Sequence, residues 1–188
     1  MYSTRVGQDV ALKRIENLIA NNHDSEALIT AVFTIEEIMH RTLNQLVISS
    51  GFTSKASKVL LSEIRGISAI KKVWPCFDPK GNALSDIIGK SNWQVISKAL
   101  SIRNNLIHGS AFYNVAECKK AARQLLTVIE EADVIFNTRY RYSCWGILST
   151  RKTSMLHLDP LVETNRAGSY FRQESEEKVS EAVNLFDF

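Results

Sequence analysis

Residues 91–109 read SNWQVISKALSIRNNLIHG, and this stretch decides the fold class. Ser91 is a helix-capping residue type, and Trp93, Ile96, Leu100 and Ile107 then recur at helical rather than alternating spacing. Gly109 stands where a left-handed C-terminal cap is common. On an ideal helix Ile96, Ala99, Leu100, Leu106 and Ile107 define an apolar arc, with Arg103 near its centre. A guanidinium keeps its charge and is costly to bury unpaired, so Arg103 is expected to meet a carboxylate, a subunit interface or a bound anion. Asn104 and His108 are one turn apart and share a face at the edge of the arc. Arg103 and His108 are separated by roughly 140° on a continuous helix, so their convergence on one anion requires a long Arg side chain and a loosened last turn.

The flanking sequence extends the helical pattern. Val115 to about Tyr140 carries Cys118, Ala122, Leu125, Leu126, Ile129, Ala132, Ile135 and Phe136 on one face. Asp9 to about Asn21 is a first helix, with Val10, Leu12, Ile15, Leu18 and Ile19 in register. His23, Asp24 and Ser25 offer capping side chains. Beyond them Ala27, Leu28, Ala31, Val32, Ile35, Met39, Leu43, Leu46 and Val47 mark a long helix ending near Gly51. Ser54 to Arg65 is a shorter amphipathic helix, and Ile67 to Trp74 adds a turn or two. Pro75 to Gly89 gathers Pro75, Asp78, Pro79, Gly81, Asn82 and Gly89, which reads as a long connection with room for one helical turn. After Tyr142 the periodicity breaks down, and only Glu174 to Phe186 is helical again. The expected division is a helical domain over residues 1–142 and a partly irregular C-terminal extension over 143–188.

Composition agrees with an all-α protein. The chain has 188 residues, of which 45% are hydrophobic and only 8 are Gly and 3 Pro, so turn-forming material is scarce. A balance of 23 Lys+Arg against 20 Asp+Glu is too even to mark a nucleic-acid binder by bulk charge, so any phosphate-binding surface must be local. Cys76, Cys118 and Cys144 are widely spaced and form no C-x-x-C pair, which points away from disulfides and zinc and towards a reducing cytoplasm. No apolar run suits a signal peptide or a membrane span. The chain contains no GxGxxG and no P-loop, and no cofactor or metal is expected.

The string RNNLIHG, at the end of one amphipathic helix and before a second long one, resembles the HEPN superfamily, whose signature is Arg, a polar residue, a short spacer and His. The likeness covers roughly residues 8 to 140. It implies a HEPN-like bundle of four to five helices with two long antiparallel ones, usually dimeric. It also implies a metal-independent endoribonuclease, a toxin or defence effector, with Arg103, Asn104 and His108 in the site. The alternative within the family is a non-catalytic module binding RNA, a nucleotide or a protein partner. The implied partners are an RNA substrate, a second copy of the chain, and an antitoxin or effector protein. The pattern departs at Ser110, where many active relatives carry Tyr; the nearest tyrosine is Tyr113.

The chemistry agrees with those residue types. Metal-free RNA cleavage needs a base for the 2′-hydroxyl, an acid for the departing 5′-oxygen and a cation for the phosphorane. Imidazole titrates near neutrality and a guanidinium grips phosphate through paired N–H groups. One His cannot easily serve both sides of the phosphorus, so a two-fold dimer facing two motifs forms part of the expectation. Glu36, beside the apolar stripe of the second helix, is a candidate partner for Arg103, while Glu37 points away to solvent. His40, one turn later, is a second supporting candidate. Arg139 and Arg141, interleaved with Tyr140, Tyr142 and Trp145, are weaker candidates for RNA contact.

Overall fold

The computed structural model describes residues 7–109, 115–140 and 142–146. The expected helix over Glu174 to Phe186, Arg141, Ser110 and Tyr113 lie outside the described residues. Helix is the only regular structure among those described: α1 (Gln8–Ala20), α2 (Asp24–Ser49), α3 (Ser54–Ser62), α4 (Gly66–Phe77), α5 (Leu84–Ile88), α6 (Lys90–His108) and α7 (Val115–Tyr140). The all-α class therefore holds, with seven helices where four to five were expected. None of them is long and apolar enough to cross a membrane.

The chain divides into two compact units, one from residues up to Ile38 with Ile88–Ile135, the other from Met39–Ile87 with residues from Phe136 on. In the first, α1 buries Ile15 and Ile19, α2 buries Ala27, Leu28, Ala31, Val32 and Ile35, and α7 buries Ala122, Leu125 and Ile129. Helix α1 closes with Asn22 at φ 59°, and His23 N–H donates to the Leu18 carbonyl at 2.8 Å. That is the six-to-one closure in which Asn, after Gly, best tolerates the left-handed conformation.

Asn92 Nδ2 donates to Glu131 Oε2 at 2.6 Å, which fixes the direction of α6 against α7. In a parallel pair His108 and Val115 would lie about 24 Å beyond this contact on opposite sides, roughly 48 Å apart, and the short connection between them reaches only about half that. The two helices are therefore antiparallel. At the other end of α7, Lys119 Nζ lies 3.8 Å from Asp24 Oδ1, so the N-terminal turns of α2 and α7 meet. The antiparallel partner of α7 in this unit is thus α6.

In the second unit, Thr53 Oγ1 caps α3 by accepting from the Ala56 N–H at 3.2 Å. The expectation of a connection from Pro75 is overturned, because α4 continues through Pro75 to Phe77. An interior Pro costs a helix about 3 kcal/mol. Here Trp74 and Phe77 are 0% and 1% exposed, and burying each large apolar side chain returns about 1.5–3 kcal/mol. Trp74 stacks on Phe136 at 5.5 Å, and Phe77 meets Phe52 edge-on at 6.4 Å. Burial outweighs the lost hydrogen bond.

Candidate functional site

Helix α6 presents the motif from its last two turns. It starts earlier than its expected Ser91 cap, because Gly89 at φ 90° precedes it and Ser91 falls inside the first turn. At the other end Gly109 takes φ 63°, ψ 19° and returns its N–H to the carbonyls of Asn105 and Leu106, the left-handed cap expected there. The helix is regular through His108, so the last turn is not loosened.

The buried face is rotated from the expected arc. Ile96, Ala99 and Ile102 are 0%, 1% and 3% exposed, while Ile107 is 51% exposed. On a 100° wheel these three centre about 40° away from Arg103. Arg103 therefore rides on the flank of the buried stripe, with its side chain 19% exposed.

Arg103 meets two side chains of α2 within the same unit. Its Nη2 donates to Glu36 Oε2 at 3.4 Å, which is the expected carboxylate partner. Its Cζ lies 5.6 Å from the centroid of the Phe33 ring, a cation–π distance. The Nε is buried and has no acceptor among the described residues. Among the described residues, one long hydrogen bond to Glu36 and one ring hold the guanidinium. Phe33 escaped the sequence reading because it lies off the apolar stripe of α2; its signal was the i, i+3 spacing to Glu36 on one helix.

Asn104 and His108 are exposed and share a face one turn apart, as their spacing dictates. His108 sits in the last turn of α6, where the helix dipole favours positive charge. Glu36 and His40 are half-buried on α2, and Glu37, expected in full solvent, is half-buried too. No group of three or more His, Cys, Asp or Glu suited to a metal ion occurs among the described residues.

A scan of protein-family models, a search of curated proteins and a search of solved structures each found no match to this chain.

The second unit holds a denser polar cluster that the sequence did not reveal. Asp78 is 0% exposed. Its Oδ1 accepts from Arg139 Nε at 3.0 Å and Nη2 at 2.9 Å and from the Tyr140 hydroxyl at 2.7 Å. Its Oδ2 accepts from Arg139 Nη2 at 2.9 Å and from the N–H groups of Lys80 at 3.0 Å and Asn82 at 2.8 Å. Trp74 Nε1 donates to the Tyr140 oxygen at 3.1 Å. Burial alone would raise the Asp78 carboxyl, but hydrogen bonds from Asn82, Tyr140 and Arg139 and the charge of Arg139 hold it below its ordinary range. Burial first, then the Asp78 charge, pushes the Tyr140 phenol well above its usual value.

This cluster bears on the interleaved Arg and Tyr residues read as an RNA-contact candidate. The Arg139 fork is engaged by Asp78, and Tyr140 and Tyr142 are 1% and 5% exposed. Arg139 and Tyr140 are thus packed and neutralised within their own unit.

Proposed function

We propose that the chain is a metal-independent endoribonuclease of HEPN type, acting as a toxin or defence effector, in which Arg103 binds the scissile phosphate and His108 moves the protons. The observation that carries the reading is the shallow hold on Arg103. Arg139 is held by Asp78 through three short contacts from Nε and Nη2. Arg103 instead has a single 3.4 Å contact, with exposed Asn104 next to it in the chain and exposed His108 in the last turn of the same helix.

In the proposed reaction the 2′-oxygen attacks the adjacent phosphorus as a base removes its proton. The P–O5′ bond breaks as an acid protonates the leaving oxygen, yielding a 2′,3′-cyclic phosphate and a 5′-hydroxyl. Arg103 offsets the negative charge that builds on the non-bridging oxygens. Asn104, one turn before His108, orients the imidazole. The two proton transfers fall on opposite sides of the phosphorus, so the second imidazole comes from a second copy of the chain across a two-fold axis.

The regularity of α6 through His108 favours a second reading. An unbroken helix keeps Arg103 and His108 on different faces, which suits a non-catalytic module that binds RNA, a nucleotide or a protein partner through Arg103. The deciding experiment incubates the full chain with a single-stranded RNA pool in excess EDTA and maps product ends. Cyclic phosphate ends from wild type, absent from Arg103→Ala, support the nuclease. RNA binding without cleavage, weakened in Arg103→Ala, supports the module.

A further inference from the structure

Phe33 is a large aromatic residue that α2 leaves 50% exposed. An aromatic ring placed half in water gives up much of its burial energy, whereas Val32 before it and Ile35 two positions after it are fully inside. The ring is also not solitary, since Arg103 lies over it at 5.6 Å. Ile107, one turn beyond Arg103 on α6, is exposed to the same degree, 51%. The exposed ring therefore lies against the guanidinium of the motif, and Ile107 adds an exposed aliphatic side chain one helical turn from Arg103.

We propose that Phe33 is the base-stacking residue of this site, with an unpaired nucleobase on its exposed surface and the neighbouring phosphate on Arg103. This rests on the reading of the site as one that binds RNA. A base lies one sugar away from its phosphate, a span comparable to that from guanidinium to ring. Stacking on an aromatic ring is tolerant of base identity because every base has a π-face, and it selects single-stranded over paired RNA. The patch also suits a base better than a protein partner. Two large apolar side chains fall far short of the roughly 800 Å² per partner that a stable protein interface buries.

The test uses the full chain and a short single-stranded RNA bearing 2′-O-methyl groups, which removes the attacking hydroxyl and prevents cleavage. Abasic residues are placed one position at a time, and affinity is read by fluorescence anisotropy. For wild type, one abasic position is expected to weaken binding by about tenfold. Phe33→Leu is expected to weaken the intact RNA by a similar factor and to make that position insensitive to loss of its base, while Phe33→Trp restores the sensitivity. Circular dichroism confirms matched folding. An abasic profile identical in wild type and Phe33→Leu overturns the proposal, because a ring that only steadied Arg103 would weaken every RNA equally. Loss of self-association in Phe33→Leu with an unchanged profile also overturns it, assigning the patch to a second copy. Wild type that binds no RNA removes both this inference and the reading beneath it. Cleavage in EDTA by wild type with no coupling to Phe33 leaves the nuclease standing and removes Phe33 alone.

Discussion

Arg103 and Glu36 touch at one point, Nη2 to Oε2 at 3.4 Å, with side chains 19% and 24% exposed. Arg139 and Asp78, by contrast, share three N–H···O contacts of 2.9–3.0 Å around a carboxylate with no exposed surface. A guanidinium–carboxylate pair is thus made in two different ways in one chain. One pair is a single long contact at the flank of α6, and the other neutralises a buried carboxylate inside the second unit.

Glu36→Gln is therefore expected to alter stability little. A partly solvated ion pair with one long contact contributes about 0–1 kcal/mol, and Gln retains an acceptor for Arg103. Urea denaturation should place the variant within about 1 kcal/mol of wild type. A larger loss would mean that Glu36 holds the fold together.

Asp78→Ala should be severe. It strands the Arg139 guanidinium and leaves the Tyr140 hydroxyl and the Lys80 and Asn82 N–H groups without their acceptor. Removing one partner of a buried pair costs about 3–5 kcal/mol; because Arg139 remains 27% exposed, the expected loss is about 3 kcal/mol. The measurement is the urea midpoint, and a shift equivalent to less than about 1 kcal/mol would contradict the account.

Stability should fall at both ends of the pH range. The folded Asp78 carboxyl is held below its ordinary value of 3.8, so the unfolded chain takes up the proton first as pH drops. Its contribution is complete above that value and is lost as pH falls through the lower folded one. Tyr140 and Cys118 are both raised on folding, above ordinary values of 10.0 and 9.0, chiefly by burial. Their contributions are present below those values and are lost as pH rises past them. Thermal melts across pH should show Asp78→Asn losing much of the acid-side slope and Tyr140→Phe part of the alkaline one; unchanged slopes in both would refute the assignment.

Gly109→Ala isolates a backbone effect. A Cβ there meets nothing within 4 Å, but φ is +63°. A left-handed conformation costs an L-residue about 1–2 kcal/mol, so the variant should lose about 1 kcal/mol in urea denaturation. No loss would show that α6 can end without its left-handed cap.

Much of this was legible where periodicity is strong. The faces of α2 and α7, the left-handed close at Gly109 and the pairing of Arg103 with Glu36 all follow from helical spacing and from the cost of an unpaired buried charge. What escaped depended on contacts distant in sequence. Pro75 signals a break locally, yet α4 runs through it because Trp74 and Phe77 find aromatic partners elsewhere in their unit. Asp78 reads as a turn residue, and its N–H bonds from Lys80 and Asn82 are turn bonds; nothing near it announces Arg139, which lies 61 positions away. The arc on α6 was mis-centred because Ile102 and Ile107 are equally apolar, and only packing decides which of them is inside.

The central claim is that His108 moves protons at a phosphate held by Arg103. The most direct measurement is the single-turnover cleavage rate of a single-stranded RNA in excess EDTA, for wild type and for His108→Ala at matched folded fraction. Loss of general acid–base catalysis predicts a fall of about a hundredfold or more, with RNA affinity largely retained. Equal rates for the two proteins would contradict the claim.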